Sequence, residues 1–319
     1  MVMIDLITGF LGSGKTTFLK KYAEYLMDQG LHIGILENDF GAINVDMLML
    51  HELRGDQCEL EMIAGGCDAE SHRRRFRTKL ISMRMCGYDR VLVEPSGIYD
   101  VDEFFDVLRE EPLDQWYEIG NVIAILDARL EDPLSEQADY LLASEAANAG
   151  KVILSHADAA TRKQCEDTVA HLNRALEEIR CDRRIDSEKD ILQTDLTDLT
   201  KEALEEVSKC GYRLESYRKM DLENGQSFDS LFFMEEKITS EALERAVPRL
   251  FADQSCGEVF RIKGFVKNKD GQWMELNATH DSRTLEPIAV GQEVLIVIGE
   301  HLQEDKIREI LKEEETCQS

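Results

Sequence analysis

The chain has 319 residues, of which 43% are hydrophobic, and a formal net charge of −27. This length allows two domains, and the composition is that of an ordinary globular protein. The negative charge argues against nucleic acid or an anionic membrane surface as a partner. The start of the chain lacks the basic region of a signal peptide, no apolar run approaches the ~20 residues of a membrane span, and the 8 cysteines form no C-x-x-C pair. We therefore expect a cytoplasmic protein with reduced thiols.

A phosphate-binding loop is predicted near the start of the chain. Residues 9–16 read Gly-Phe-Leu-Gly-Ser-Gly-Lys-Thr and fit the Walker A pattern G-x-x-x-x-G-K-S/T. An apolar run at 2–8 predicts a strand before the loop, and apolar spacing over 17–27 predicts a helix after it. A glycine turn that only joins strand to helix would not require Lys15 or Thr16. We expect Lys15, in a solvent-facing loop, to contact the β- and γ-phosphates and the Thr16 hydroxyl to bind Mg²⁺. The full predicted loop set is Gly12, Ser13, Gly14, Lys15, Thr16 and Thr17.

Acidic residues follow the predicted strand at 32–36. Glu37 and Asp39 would lie at its C-terminal end, beside the phosphate loop, where Mg²⁺ and an attacking water are held in nucleotide hydrolases. An acidic loop that turns at Gly41 explains the same residues equally well, so the spacing leaves both interpretations open.

A second acidic segment, Glu-Pro-Ser-Gly at 94–97, follows the predicted strand at 89–93. A carboxylate directly after a strand, with glycine three residues later, is typical of nucleotide switches. We expect Glu94 to hold the Mg²⁺ shell and the Gly97 N–H to meet the γ-phosphate. Further strands at 121–126 and 152–154, alternating with helices, predict a mostly parallel, doubly wound α/β sheet.

The remaining segments predict a second domain and one basic helix face. Residues 73–77 form a dense basic run, which we interpret as a solvated helix face paired with carboxylates; a phosphate-binding lid is the alternative. From 181 to 230 the chain is charged and discontinuous. The strands and helices expected beyond it predict a smaller α+β C-terminal domain. We place the P-loop NTPase domain at 1–218 and the C-terminal domain at 228–319.

Several motifs together resemble the CobW family of P-loop GTPases, and the resemblance covers nearly the whole chain. Those motifs are the loop at 9–17, Glu-Asn-Asp-Phe-Gly at 37–41, Gly-Cys at 66–67, Glu-Pro-Ser-Gly at 94–97, Asp127, and two tail segments at 260–265 and 297–302. The resemblance implies GTP and Mg²⁺ as cofactors. It also implies a protein client that receives a metal such as zinc or cobalt, or a cofactor.

The chain departs from the family pattern at three motifs, one of which is the Glu-Asn-x-Phe-Gly segment, where Ala42 replaces the usual following Glu. Where the family carries Gly-Cys-x-Cys-Cys, this chain reads Gly-Cys-Asp-Ala-Glu at 66–70. With two of three thiolates replaced, the resemblance implies that Zn²⁺ or Co²⁺ binds weakly to Cys67, with Glu37 or Glu70 as oxygen ligands and His72 close in sequence. A small buried cysteine without metal is the alternative. Where the family reads guanine with Asn-Lys-x-Asp, this chain has Ser155, His156 and Asp158. Asp158 would accept hydrogen bonds from guanine N1–H and N2–H₂, which adenine does not offer. His156 would lie flat against the base.

We therefore predict a nucleoside triphosphatase that prefers GTP to ATP, hydrolyses it slowly and switches the state of a metal-handling partner. Lys15, Thr16, Asp39 and Glu94 are the predicted catalytic residues. Two alternatives remain open. The first is a P-loop small-molecule kinase, and the second is a regulatory module that binds nucleotide without turning it over. The oligomeric state is not predicted by any motif.

Overall fold

The computed structural model describes residues 1–10, 12–39, 50–64, 69–95, 101–130, 132–218, 229–234, 238–280, 283–288 and 293–316. The chain divides into two compact units, Met1–Asp221 and Leu222–Ser319. In the described part of the chain, no helix is long and apolar enough to cross a lipid bilayer.

The first unit is built on a parallel sheet of seven strands in the spatial order β3-β2-β4-β1-β5-β6-β7. Every strand pair in this sheet is parallel. Because crossover helices cover both faces of such a sheet, its central strands are buried almost throughout. The strands are β1 Val2–Gly9, β2 Ile33–Asp39, β3 Cys58–Ala64, β4 Arg90–Pro95, β5 Tyr117–Asp127, β6 Lys151–Ser155 and β7 Ile191–Gln193.

The helices of this unit connect successive strands. Polar residues cap several of them: Thr161 and Gln164 form a complete capping box, and Ser135 and Thr200 accept hydrogen bonds from backbone N–H groups in the first turn of their helices. The helices are α1 Lys15–Asp28, α2 Ala69–Arg84, α3 Val101–Leu108, α4 Leu113–Trp116, α5 Glu136–Ala147, α6 Arg162–Glu178 and α7 Lys201–Val207.

A buried polar cluster joins the middle of β1 to its neighbours. The Asp5 carboxylate accepts hydrogen bonds from the Tyr22 hydroxyl (2.8 Å), the Arg90 guanidinium (2.9 Å) and the Asn121 backbone N–H (2.8 Å). The Asn121 amide in turn donates to the Ser208 carbonyl oxygen at 3.0 Å. Side chains from α1, β1, β4 and β5 thus share one network, and a fully bonded network of this kind fixes the packing of those elements.

The second unit is an antiparallel five-stranded sheet in the order β11-β10-β9-β12-β8. Helices α8 and α9 pack together, and their apolar residues share one core with the sheet. The elements are β8 Asp229–Met234, α8 Ser240–Ala252, β9 Glu258–Lys267, β10 Trp273–Ala278, β11 Arg283–Pro287, β12 Val294–Glu300 and α9 Glu304–Thr316.

The predicted fold class, a P-loop α/β sheet with a smaller α+β domain, is confirmed. A turn at 268–271 joins β9 to β10, and in it the Gly271 N–H donates to the Asn268 carbonyl oxygen at 2.9 Å. The sequence pattern missed three short strands, namely β7, β8 and β11, and the helices α3 and α4. The two shortest of these strands have 3 and 5 residues, too few for alternation to stand out.

Candidate nucleotide-binding site

Three glycines shape the loop between β1 and α1. Gly9, Gly12 and Gly14 have φ angles of 146°, 78° and 94°, a region that residues with a Cβ rarely adopt. A Cβ on Gly9 would lie 2.1 Å from the Ile125 carbonyl oxygen, and one on Gly14 would lie 2.6 Å from a Leu196 side-chain carbon. Both the backbone conformation and the close packing therefore require glycine. Gly14 ends the loop, and α1 begins at the next residue.

Lys15 is the first residue of α1 and is buried, with 7% of its surface exposed. Its Nζ donates to the Gly9 carbonyl oxygen at 2.8 Å and lies 3.4 Å from that of Phe10. The expectation of a solvent-facing lysine is therefore wrong, because the loop folds over the side chain and its own carbonyls hold the ammonium. The lysine lies within the turn that would surround a phosphate.

Thr16 connects the loop to the neighbouring strand β4. Its hydroxyl donates to Glu94 Oε1 at 2.8 Å, and Glu94 is 3% exposed. Glu37 on β2 is the register partner of Glu94 and is also 3% exposed. Register partners on parallel strands project to the same face. The Thr16 hydroxyl and the Glu94 carboxylate, both predicted site groups, are thus hydrogen-bonded. The Glu37 carboxylate lies on the same face of the sheet.

Three other predicted site residues, Asp39, Gly97 and Cys67, lie partly or wholly outside the described residues. The backbone of Asp39 closes β2 opposite Ala64, but its side chain lies outside the described residues. Gly97 and Cys67 also lie outside them. Thr17 is half-buried in the first turn of α1. The first N–H groups of any helix have no carbonyl partner within that helix, so this turn directs backbone donors toward the loop.

The predicted base-reading residues lie at the end of β6. The Ser155 hydroxyl donates to the Ser13 carbonyl oxygen at 2.7 Å, which ties this segment directly to the phosphate loop. His156 follows with a φ of 53°, and its Nδ1 lies 3.0 Å from Asp127 Oδ2. Asp158 is exposed. The structure therefore brings the three predicted base-reading residues next to the phosphate loop.

Two acidic residues at this end were missed as site residues. Burial opposes ionisation of Asp127, but hydrogen bonds from His156 and Arg129 outweigh it and lower the pKa of Asp127 to about 2. The pKa of Asp195 is lowered chiefly by the hydrogen bond from the Thr197 backbone N–H, with smaller contributions from His156 and Asp158. His156 is therefore in direct contact with the Asp127 carboxylate. The position of Asp127 at the C-terminal end of a strand was the signal available in the sequence.

A further acidic residue, Glu145, lies inside the unit. Its side chain on α5 is 1% exposed, and neither carboxyl oxygen has a hydrogen-bond partner among the described residues. Burial raises the pKa of Glu145 to about 8, while the Lys15 ammonium acts in the opposite direction. Sequence analysis gave this residue no role.

The described residues contain no group of three or more His, Cys, Asp or Glu side chains that could hold a metal ion. His72, close in sequence to Cys67, is buried, and its Nδ1 lies 3.4 Å from Glu103 of α3. The His72 imidazole therefore faces α3, and its Nδ1 contacts the Glu103 carboxylate there.

The basic run on α2 divides between two surroundings. Arg73 and Arg77 pair with Glu110 at 2.7 and 3.1 Å, as expected for a solvated helix face paired with carboxylates. Arg74 and Arg75 line a groove of about 680 Å³ that extends to Met62 and Ile63 of the edge strand β3.

The chain matches two family models. Residues 3–185 match the model described as CobW/HypB/UreG, nucleotide-binding domain. Residues 230–314 match the model described as cobalamin synthesis protein cobW C-terminal domain. The two matches fall in the first and second units respectively.

Named relatives match about half of the chain. The chain is 29% identical over 185 residues to the zinc chaperone YjiA of Escherichia coli (strain K12), covering 54% of this chain and 55% of that protein. It is 31% identical over 131 residues to the zinc chaperone YeiR of the same organism, covering 41% and 39%. The chain spans about half the length of the curated relatives it matches. The crystal structure of Zn(II)-bound YjiA GTPase from E. coli aligns over 98% of each chain, with 17% identity and a TM-score of 0.38.

Proposed function

Since this chain belongs to the CobW/HypB/UreG nucleotide-binding domain family, we propose that it binds GTP, hydrolyses it slowly and acts as a switch for a metal-handling partner. The observation that carries the proposal is the 2.8 Å hydrogen bond between Thr16 of the glycine loop and Glu94 of β4. A nucleotide hydrolase needs a hydroxyl and a carboxylate close together, and this bond joins two such groups that are 78 residues apart in the sequence.

Magnesium fits this pair by the chemistry of its ligands. Mg²⁺ prefers oxygen ligands and is usually held by a few protein oxygens together with phosphates and water. Thr16 would bind the ion directly, with Glu94 and Glu37 in its shell; bound Mg²⁺ neutralises charge that develops on the phosphates. Lys15 would leave the loop carbonyls for the β- and γ-phosphates. We retain Asp39 as a candidate for positioning the attacking water and Gly97 as a candidate donor to the γ-phosphate.

For the base, we propose that Asp158 reads guanine. It is exposed and lies in the segment that Ser155 ties to the phosphate loop, so its acceptor oxygens are available to guanine N1–H and N2–H₂. His156, held beside Asp127, would flank the base. The remaining contacts would come from the loop residues Gly12, Ser13, Gly14 and Thr17.

The test measures nucleotide binding and turnover on the full chain. We expect a fluorescent GDP analogue to bind in the presence of Mg²⁺, GTP to release phosphate slowly, and Lys15→Ala to lose both activities while keeping its circular dichroism spectrum. Lys21→Ala, on the same helix, is the matched control. Unchanged affinity in Lys15→Ala would overturn the Walker A assignment.

The same experiment separates the two alternative functions. Phosphate that appears only on an added small-molecule acceptor would identify a kinase, and Arg74 and Arg75 would then be the first residues to change. Binding of GTP without turnover, in the wild type and with excess Mg²⁺, would identify a regulatory module.

We further propose that metal binding is weak and depends on Cys67. Two relatives are described as zinc chaperones, but this chain has Ala69 where the family motif carries a thiolate, and Zn²⁺ sites normally use three or four N or S ligands. Glu37 would add an oxygen ligand. We expect Zn²⁺ or Co²⁺ to be lost to a mild colorimetric chelator and Cys67→Ala to abolish the residual binding. Tight zinc in that variant would place the metal site elsewhere.

The wider assignments are also proposals. We assign nucleotide binding to 1–218 and a CobW-like C-terminal domain to 228–319. The partners proposed are nucleotide and a protein client that receives metal or cofactor, in the cytoplasm. The charge of −27 supports the absence of nucleic acid from this set.

A further inference from the structure

The strand β3 forms one edge of the seven-stranded sheet. In the part of the chain that the structure describes, β2 is the only strand of this sheet that pairs with it. The Ile33 N–H of β2 donates to the Gln57 carbonyl oxygen at 2.9 Å, and the backbone groups of successive strand residues point to alternate sides. The N–H and C=O groups of Leu60 and Met62 therefore point away from β2. Such an edge is a template for a further strand.

One stripe of helix α2 lies beside this edge. The helix packs on β3, and Met62 and Ile63 of the strand line the groove of about 680 Å³ next to it. The helical residues that line the groove follow the i, i+3, i+4, i+7 spacing of a single helix face. They are Ser71, Arg74, Arg75, Thr78, Lys79 and Ser82. At a rise of about 1.5 Å per residue the stripe is about 16 Å long, which matches roughly five residues of extended chain.

The groove is basic although the protein is strongly acidic. Its lining includes Arg74, Arg75 and Lys79 and no Asp or Glu, in a chain that has 64 Asp and Glu residues against 37 Lys and Arg. Lys79 is bonded to Glu61 of β3 at 2.8 Å, while Arg74 and Arg75 are exposed. The charge of the groove therefore complements an acidic ligand.

The geometry of the edge selects among acidic ligands. A second copy of this chain is disfavoured, because antiparallel pairing of two β3 edges puts both α2 helices on one face of the joined sheet. The two basic stripes would then repel each other. A folded acidic surface is also disfavoured, since only an extended backbone offers N–H and C=O groups in register with those of Leu60 and Met62.

We propose that the groove between β3 and α2 binds an extended acidic segment of a partner protein, which adds a strand to β3. The side chains of a strand alternate between its two faces, so every second residue of the segment faces α2. Carboxylates at those positions bind Arg74 and Arg75, and the backbone of the segment bonds to Leu60 and Met62. The inference goes beyond the proposed nucleotide switch and does not depend on it.

The first test is a fluorescence anisotropy titration of the full chain, without nucleotide, with a labelled peptide of alternating Glu and Val, roughly six residues long. We expect saturable binding by the wild type. The double variant Arg74→Glu, Arg75→Glu should bind at least about tenfold more weakly, because it loses charge-assisted hydrogen bonds and gains like charges. The control is Arg162→Glu, Lys163→Glu, an equal change of charge at exposed residues of α6, and it should bind as the wild type does.

A second peptide separates strand addition from attraction between charges. The same sequence, N-methylated at every residue, keeps its carboxylates but has no N–H group to donate to β3. We expect no saturable binding of this peptide. Equal affinity for the two peptides would overturn the inference, because the groove would then be only a patch that attracts anions. Equal affinity of the two double variants for the unmethylated peptide would overturn it as well.

Amide hydrogen exchange of the wild type, followed residue by residue by NMR, keeps the test independent of how the variants fold. Saturating peptide should slow exchange of the Leu60 and Met62 N–H groups by at least about tenfold. The N–H groups of Glu59 and Glu61 point toward β2 and should change much less. Unchanged exchange at Leu60 and Met62, or no peptide binding by the wild type, would overturn the inference and leave the proposed nucleotide function intact.

Discussion

Two buried carboxyl groups in the parallel-sheet unit have opposite surroundings. Asp5 in β1 is 0% exposed and Glu145 in α5 is 1% exposed. Asp5 receives hydrogen bonds from Tyr22, Arg90 and Asn121, whereas no described residue bonds to Glu145. Burial raises the pKa of both carboxyl groups. The two groups therefore differ in their hydrogen-bond partners and not in their burial.

The difference predicts opposite contributions of the two carboxyl groups to the stability of this unit. A satisfied carboxyl that joins four elements stabilises the fold, because each partner would otherwise lose its own hydrogen bonds. A buried carboxyl without a hydrogen-bond partner lowers stability, and buried polar groups without partners are more often found at functional sites than elsewhere in a fold. The two residues should therefore respond to mutation with opposite signs.

The largest expected effect is at the satisfied carboxyl. Asp5→Ala removes the fully buried partner of the half-buried Arg90 guanidinium, and breaking a buried ion pair on one side costs about 3–5 kcal/mol. We expect the free energy of unfolding of this unit, measured by urea denaturation, to fall by that amount. Glu118→Ala, an exposed acid on β5, should stay within about 0.5 kcal/mol of wild type. Equal losses in both variants would show that the Asp5 network adds nothing specific.

The second effect, at Glu145, should have the opposite sign. The pKa of Glu145 is about 8 when folded, against the ordinary value of 4.5. Below pH 4.5 the carboxyl is protonated in both states and costs no stability; as the pH rises, only the unfolded state ionises. Glu145→Gln removes this penalty, so it should stabilise the protein by roughly 3 kcal/mol at pH 7 and by almost nothing near pH 4.5. Urea denaturation at both pH values checks this prediction.

A Glu145→Gln variant less stable than wild type at pH 7 would contradict this sign. It would mean that the carboxyl has a partner that stabilises its ionised form, and the contrast with Asp5 would then disappear. Glu136→Gln on the same helix controls for a general effect of replacing glutamate, and we expect no pH-dependent difference for it.

The sequence predicted the glycine loop between β1 and α1 for a physical reason. A glycine loop between a strand and a helix has local requirements, namely φ above zero and close packing at Gly14, which the residue types display directly. Glu94 was found because it follows a buried strand, and Thr16 because it ends the loop motif; their contact confirms that the two elements are neighbours. The resemblance to the CobW family is confirmed by the family match.

The sequence did not reveal contacts that depend on tertiary packing. Lys15 was expected in solvent, since a charged residue in a loop motif gives no sign that the loop folds over it. Glu145 was given no role. The available signal was that α5 is apolar on nearly all sides, which indicates a fully buried helix, so a carboxyl in it must be buried too.

A third carboxyl, Asp158, sharpens the comparison because its partner is proposed to be the ligand. It is exposed, so its hydrogen bonds with water cost nothing and its replacement should leave stability unchanged. Guanine would supply two donors to its two acceptor oxygens, while Asn offers one acceptor and one donor. We expect Asp158→Asn to reduce the preference for GDP over ADP by about tenfold, or about 1.4 kcal/mol, measured by competition with a fluorescent nucleotide. Asp167→Asn, exposed on α6, should keep the wild-type preference. If Asp158→Asn also keeps the preference for GDP, other groups recognise guanine. Asp127 and Asp195, the acidic residues near His156, would then be the next to replace.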